Sequence, residues 1–285
     1  MKINKLAIGT AQFGMPYGIR NNEVGLKEIE KILDFAKKNK INTLDTAVAY
    51  KKAETKLGFL GVKEWKIISK IPTVPKVIYD EKKWINKIFF SSLKKLNLSR
   101  IDTILIHVSD VILNKNRCDK IFAALEELKR SKLIKNIGFS IYDPKKIEKI
   151  INRYELDTIQ APYNIFDQRI LTSGLSKLLQ KKKIKLHLRS IFLQGLLLSR
   201  NQNLPKIFRN NIFLLKFQKW VVNNNVNRIA CCLGVTSKIK FEKLIIGLDN
   251  LKQLKEVIKS CKYRVKSFPN FNIKTNNKLI DPRKW

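Results

Sequence analysis

An acid, a phenol, an amine and an imidazole stand at or just beyond the ends of three apolar runs. Asp45 ends Leu44-Asp45-Thr46 and Tyr50 follows five residues later; Lys70 ends Ile68-Ser69-Lys70, and His107 ends Leu105-Ile106-His107. Such a set suits protonation of a carbonyl oxygen as a hydride arrives at its carbon. Tyrosine, with an ordinary pKa near ~10, donates a proton poorly at neutral pH unless a nearby cation stabilises its phenolate. Lys70 would supply that cation, Asp45 would pair with Lys70 and orient it, and His107 would donate a hydrogen bond to the substrate oxygen. No metal is required. Taken singly, each residue has an ordinary explanation: a strand-end Asp caps or turns, a Tyr packs, and a Lys is a solvated charge. Their weight comes from sharing one face. His107 is one of only two histidines; His187 falls inside a strand-like run and reads as a satisfied core residue.

To bring the four together, the elements carrying them must share one end of a sheet. Short β-rich runs alternate with amphipathic helical patterns along the chain. Lys5 to Gly9 predicts a strand and Leu26 to Asn39 a helix with Leu26, Ile29, Leu33 and Ala36 on one face; strand Asn42 to Thr46 precedes helix Ala53 to Phe59. Strand Trp65 to Ser69 precedes helix Asp80 to Leu96, and strand Ile101 to Ile106 precedes helix Cys118 to Ser131. The second half reads as strand Ile134 to Phe139, helix Pro144 to Arg153, strand Asp157 to Gln160, helix Ile170 to Lys181 and strand Ile184 to Ser190. A helical region Lys206 to Leu233, strand Lys243 to Leu248 and helix Leu251 to Ser260 complete the series. Parallel strands need helical crossovers, and eight such units predict an α/β chain folded as one (β/α)8 TIM barrel over residues 1–260. An open doubly wound sheet would show GxGxxG after its first strand. Gly9, Gly14 and Gly18 have the wrong spacing, and no helix is expected to start there. Residues 261–285 read as an irregular tail whose Phe268, Phe271, Ile273 and Trp285 pack back on the barrel.

The chain has 285 residues, 44% of them hydrophobic and 28% charged, enough to bury a full core. No run approaches the ~18 apolar residues of a membrane helix, and Met1 to Gly9 lacks the apolar core of a secretory signal, so a cytoplasmic location is expected. Four cysteines, Cys118, Cys231, Cys232 and Cys261, form no CxxC pair and indicate neither a disulfide framework nor a zinc site. Lys plus Arg number 58 against 23 Asp plus Glu, a net charge of +35. That excess would ordinarily suggest nucleic acid, but the lysines are scattered over nearly every helix and only Lys181 to Lys183 form a run of three. No specific nucleic-acid partner and no membrane is expected. No pattern sets an oligomeric state.

Over Lys5 to Ser260 the chain resembles the aldo-keto reductases. The matching segments are Leu6-Ala7-Ile8-Gly9-Thr10, then Asp45-Thr46-Ala47 with Tyr50, Glu54 and Leu57-Gly58, and then Ser69-Lys70 and Ile106-His107. Ile137-Gly138-Phe139-Ser140, Gln160 with Tyr163-Asn164, and Ile246-Gly247 with Gln253 continue the match in order. The resemblance implies a TIM barrel, a small-molecule carbonyl substrate, an NADPH or NADH cofactor, and a catalytic tetrad of Asp45, Tyr50, Lys70 and His107 with Tyr50 as general acid.

The resemblance also implies a cofactor site built from Gly9, Thr10, Ser140, Gln160, Arg189, Ser190, Leu193, Gln194, Gly195, Gly247, Leu248, Asp249 and Gln253. Ser140 and Gln160 would hold the nicotinamide carboxamide, and Leu193 to Leu196 would lie along the pyrophosphate. Two positions depart from the family: Ile141 replaces an Asn beside Ser140, and Arg189 replaces the aromatic that stacks on nicotinamide, a task a guanidinium can also perform. These departures keep open a second reading, a cofactor-sensing regulatory or interaction protein without significant turnover. Asp249 stands where many relatives carry the cation that clamps the 2'-phosphate of NADPH, so NADH is expected to serve at least as well. The competing expectation leaves Asp249 in solvent and gives the phosphate to Lys238 or Lys243. Substrate contacts are expected from Phe13, Tyr17 and Asp110, and hydroxyl contacts of Asp110 and Asp167 would suit a sugar-like carbonyl.

Overall fold

The computed structural model describes residues 1–75, 77–78, 80–107, 114–144, 147–271, 273 and 278–285. Eight parallel strands close into a barrel in sequence order. They are β1 (Leu6–Gly9), β2 (Thr43–Asp45), β3 (Lys66–Ile71), β4 (Ile101–His107), β5 (Ile134–Ser140), β6 (Thr158–Pro162), β7 (Lys185–Arg189) and β8 (Lys243–Gly247). Closure is made by β8 against β1, with Leu6 opposite Leu244 and Gly9 opposite Gly247. All eight strands therefore end at one rim, the rim that carries Asp45, His107, Ser140 and Arg189.

The outer layer contains α1 (Ala11–Gly14), α2 (Leu26–Lys38), α3 (Ala53–Leu60), α4 (Glu81–Leu96), α5 (Lys115–Arg130) and α6 (Glu148–Ile151). It continues with α7 (Arg169–Thr172), α8 (Leu175–Lys181), α9 (Ile212–Asn223), α10 (Arg228–Gly234) and α11 (Leu251–Ser260). Each long helix turns one apolar stripe inward: Ile29, Ile32, Leu33 and Ala36 of α2 are buried, as are Leu254, Val257 and Ile258 of α11. Asp80, Asn114, Asn211, Asn227 and Asn250 cap α4, α5, α9, α10 and α11 by accepting from backbone N–H groups of the first turn. The lysines lie mostly on the opposite faces; in α4, Lys82, Lys83, Lys87, Lys94 and Lys95 are all exposed.

Strands, α2, α3, α4 and α11 agree with the sequence reading to within a few residues. Four segments differ. A four-residue helix, α1, does begin directly after β1. Of the helix expected from Pro144 to Arg153, α6 covers only Glu148–Ile151. The helix expected from Ile170 to Lys181 breaks at Gly174, whose φ of 79° is left-handed, into α7 and α8. The region from Lys206 to Leu233 divides into a 3-10 turn, Lys206–Phe208, and α9 and α10, each restarted by an asparagine cap. In the tail Leu279 and Ile280 are buried, and Phe268, Phe271, Ile273 and Trp285 pack against the barrel core. No helix among the described residues is long and apolar enough to cross a membrane.

Candidate active site

Asp45, the last residue of β2, and Lys70 of β3 meet inside the rim, and both are almost wholly buried. The Lys70 ammonium donates to Asp45 Oδ1 at 2.5 Å and to the Thr46 carbonyl at 2.8 Å. Gln160 Nε2 donates to the other carboxylate oxygen of Asp45 at 2.6 Å, and the Ser140 hydroxyl donates to Gln160 Oε1 at 3.2 Å. Ser140 and Gln160 are thus tied into the charged pair across β5, β6 and β2. Thr10 adds support from β1, its backbone N–H and hydroxyl both donating to the Asp45 carbonyl at 2.9 and 3.1 Å.

Tyr50 lies over this pair, the Lys70 Nζ being 5.2 Å from its ring centroid. Gly14 sets its position: a Cβ there would lie 2.0 Å from the Tyr50 carbonyl oxygen, so only glycine lets the end of α1 abut the turn. Burial, and next the Asp45 charge, push the Tyr50 phenol above its ordinary pKa, while Arg189 acts in the opposite sense. The phenol therefore holds its proton throughout the neutral range. This modifies the sequence expectation: in the resting site burial and the Asp45 charge outweigh any lowering of the phenol by the paired Lys70. Burial also lowers the Lys70 pKa, against the opposing pull of Asp45.

His107 ends β4, in register with Ser140 on β5. Burial, then the Lys70 and Arg189 charges, lower its pKa to about 3, so its imidazole is neutral and presents one N–H donor and one acceptor. His187, expected as a satisfied core residue, is buried, but its Nδ1 has no hydrogen-bond partner among the described residues. Burial and the charges of Lys243, Lys185 and Lys70 lower its pKa to about 3 as well.

A stability prediction follows from the two histidines. Between pH 6.5 and about 3 the unfolded chain binds more protons than the folded one. Their contribution to stability is complete above pH 6.5 and is lost as the pH falls. Denaturant titration should give a lower midpoint at about pH 5 than at about pH 7.5, with the difference reduced in His187→Leu. Equal midpoints for the native chain would contradict the assignment.

The tetrad opens onto a cavity of about 690 Å³ at the strand ends, a size typical of small-ligand sites. Of the positions implied for a cofactor, Gly9, Thr10, Ser140, Gln160, Arg189, Ser190, Gln194, Gly195, Gly247, Leu248, Asp249 and Gln253 line it. Leu193 does not; its side chain is fully buried in the core. The Arg189 guanidinium donates to Ser190 Oγ at 3.2 Å and to the Ile141 carbonyl at 2.9 Å, and lies 4.2 Å from the Tyr142 ring centroid. Asp249 and Gln253 hold each other: the Asp249 N–H donates to Gln253 Oε1 at 2.8 Å, and Gln253 Nε2 donates to Asp249 Oδ2 at 3.1 Å.

Of the expected substrate contacts, Tyr17 lines the cavity and accepts from Gln194 Nε2 at 3.1 Å, its phenol pushed up to about 12 chiefly by burial. Phe13 is fully buried in the core and away from the cavity, because it faces inward from α1. Asp110 lies outside the described residues. Asp167 is buried, and both its oxygens are taken by Arg169 at 2.8 Å, so it offers nothing to a hydroxyl. Lys243 donates to the Asn4 carbonyl at the amino end of β8, opposite the cavity, and Lys238 lies over Phe268 outside it. Neither is placed to hold a cofactor phosphate. The cavity is lined by residues that sequence reasoning did not assign, among them Arg20, Tyr142, Arg200, Arg228, Glu256 and Lys259.

This lining fits a nicotinamide dinucleotide. Gln160 and Ser140 bring an amide and a hydroxyl to the lining and Arg20, Arg200, Arg228 and Lys259 bring cations, the groups that a carboxamide and phosphates would require. The Ile19 N–H donates to the Gln194 carbonyl at 3.1 Å, joining the loop after β1 to the turn after β7 beside the same cavity. Gly195, at φ 92°, supplies the left-handed conformation that this turn needs.

Comparison with known proteins bears on the fold and the family. The structure is similar to the aldo-keto reductase AKR11C1 from Bacillus halodurans, with a TM-score of 0.74 and 20% identity over 92% of this chain and 88% of that one. It is also similar to the glycerol dehydrogenase AKR11B4 from Gluconobacter oxydans, with a TM-score of 0.69 and 21% identity over 92% of this chain and 88% of that one. No curated protein matches the sequence. The model of the aldo/keto reductase family matches residues 5–272. The chain belongs to the aldo/keto reductase family, as an NAD(P)-dependent oxidoreductase acting on the carbonyl or alcohol group of small molecules.

Proposed function

We propose that the chain reduces an aldehyde or ketone to the alcohol, with Tyr50 as proton donor. The observation that carries this reading is the Lys70–Asp45 pair buried under Tyr50 beside a neutral His107, all opening onto one cavity. With a reduced nicotinamide held beside Ser140 and Gln160, a hydride would be available to the carbonyl carbon. His107 donates a hydrogen bond to the carbonyl oxygen and fixes its direction, and the Tyr50 hydroxyl delivers the proton to that oxygen. An alkoxide is far more basic than a phenolate, so this transfer is downhill even from a phenol whose pKa is raised. Lys70 stabilises the phenolate left on Tyr50, and Asp45, braced by Gln160, holds Lys70 in place. Incubating the protein with reduced nicotinamide cofactor and a panel of aldehydes and ketones should give multiple turnovers. Cofactor binding without oxidation by any carbonyl would favour the sensor reading instead.

Asp249 is the discriminating residue for the cofactor, and NADH serves at least as well as NADPH. A carboxylate lining the cavity repels a 2'-phosphate and accepts from free ribose hydroxyls. Asp249→Arg should shift the ratio of the two dissociation constants toward NADPH by at least about tenfold, or ~1.4 kcal/mol, in a fluorescence titration. An unchanged ratio would reject this role and leave the phosphate to Arg200 and Arg228.

A further inference from the structure

Arg189 ends β7 as a cation with no counter-ion among the described residues. Among the described residues no carboxylate lies within ion-pair distance of it, and its hydrogen bonds run to a hydroxyl and a carbonyl. The described acidic and titratable groups of the tetrad offer it no free negative charge. The Asp45 carboxylate is taken by Lys70 and Gln160, and Tyr50 and His107 are neutral. Arg283 of the tail, 3.7 Å from the centroid of the same Tyr142 ring, is answered by Asp281 at 2.8 and 2.7 Å. Arg189 lines the same cavity as Tyr50, His107, Lys70 and Tyr17, and its charge bears on the titration of all four.

The guanidinium is also held still. Ile141, Ser190 and Tyr142 fix its plane, and two of its five N–H groups are engaged there, leaving the others for a ligand. A fixed, planar, unanswered fork of donors is matched by a carboxylate, which it can bind in two-point fashion. The polyol alternative has lost its support at Asp167, which is closed by Arg169.

Resting on the reductase reading above, we propose that the substrate is an oxo acid: an aldehyde or ketone carrying a carboxylate, which Arg189 binds while Tyr50 and His107 take the carbonyl oxygen. The test compares oxo acids of increasing chain length, each against its own primary amide, by kcat/KM. The amide keeps size and polarity and removes only the charge. At least one acid should exceed its amide by about 100-fold, chiefly through KM. Arg189→Met should reduce that ratio to within about threefold, and Arg189→Lys should retain most of it. General damage to the site lowers both substrates together and cancels in the ratio. Acids no better than their amides, or a ratio that survives Arg189→Met, would overturn the inference while leaving the reductase reading intact. If neither series is reduced while a neutral aldehyde or ketone is, the inference is overturned; if no carbonyl of any kind is reduced, the reductase reading fails. Calorimetric binding of succinate then decides the inference: binding weakened at least about tenfold by Arg189→Met supports it, and equal binding overturns it.

Discussion

Tyr50→Phe should lower kcat by about 10²–10⁴-fold while leaving the dissociation constant of the reduced cofactor within about threefold. The substitution removes one oxygen and keeps the ring, so the turn against Gly14 and the contact with the Lys70 ammonium persist. What is lost is the proton for the alkoxide. His107 cannot replace it, because a group whose pKa is lowered to about 3 is already neutral and has no imidazolium proton to give. The loss should therefore appear in kcat with substrate saturating. A comparable loss of cofactor affinity would mean that Tyr50 shapes the cavity rather than supplying the proton.

Lys70→Met should have the second-largest effect, on both stability and rate. The Asp45 carboxylate would remain buried with only Gln160 donating to it, and breaking a buried pair in this way typically costs about 3–5 kcal/mol. Turnover should fall by at least about 10²-fold, since a phenolate on Tyr50 would then form beside Asp45 without its cation. Adding Asp45→Asn removes the uncompensated charge. The double variant should regain much of the lost stability in denaturant titration and none of the turnover. A double variant no more stable than Lys70→Met alone would show that Asp45 is not the charge Lys70 answers.

The strands were legible because parallel strands buried on both faces read as short continuous apolar runs, as in Ile101–His107 and Lys243–Gly247. The end of α11 was legible through its apolar period. The broken segments were not, because periodicity does not report the sign of φ at Gly174 or the cap that restarts a helix at Asn227. In the site, Asp45, Lys70 and His107 could be read because the end of an apolar run marks the rim of the barrel. Arg200, Arg228 and Glu256 could not, since they come from a loop and two helices that meet the cavity only once the barrel has closed. Phe13 and Leu193 were assigned outward yet face the core, because an apolar residue in a rim loop can serve either side. The unpartnered Nδ1 of His187 has no signature in the sequence at all.

The central claim is that hydride and proton reach one carbonyl in the cavity above Asp45, Lys70, Tyr50 and His107. Turnover with a cofactor deuterated at the transferring position of the nicotinamide tests it most directly. Deuterium should appear on the former carbonyl carbon of the alcohol in the wild-type reaction, and its rate of appearance should collapse in Tyr50→Phe. Cofactor binding with no deuterium in any alcohol product, or label transfer as fast in Tyr50→Phe as in the native chain, would contradict it.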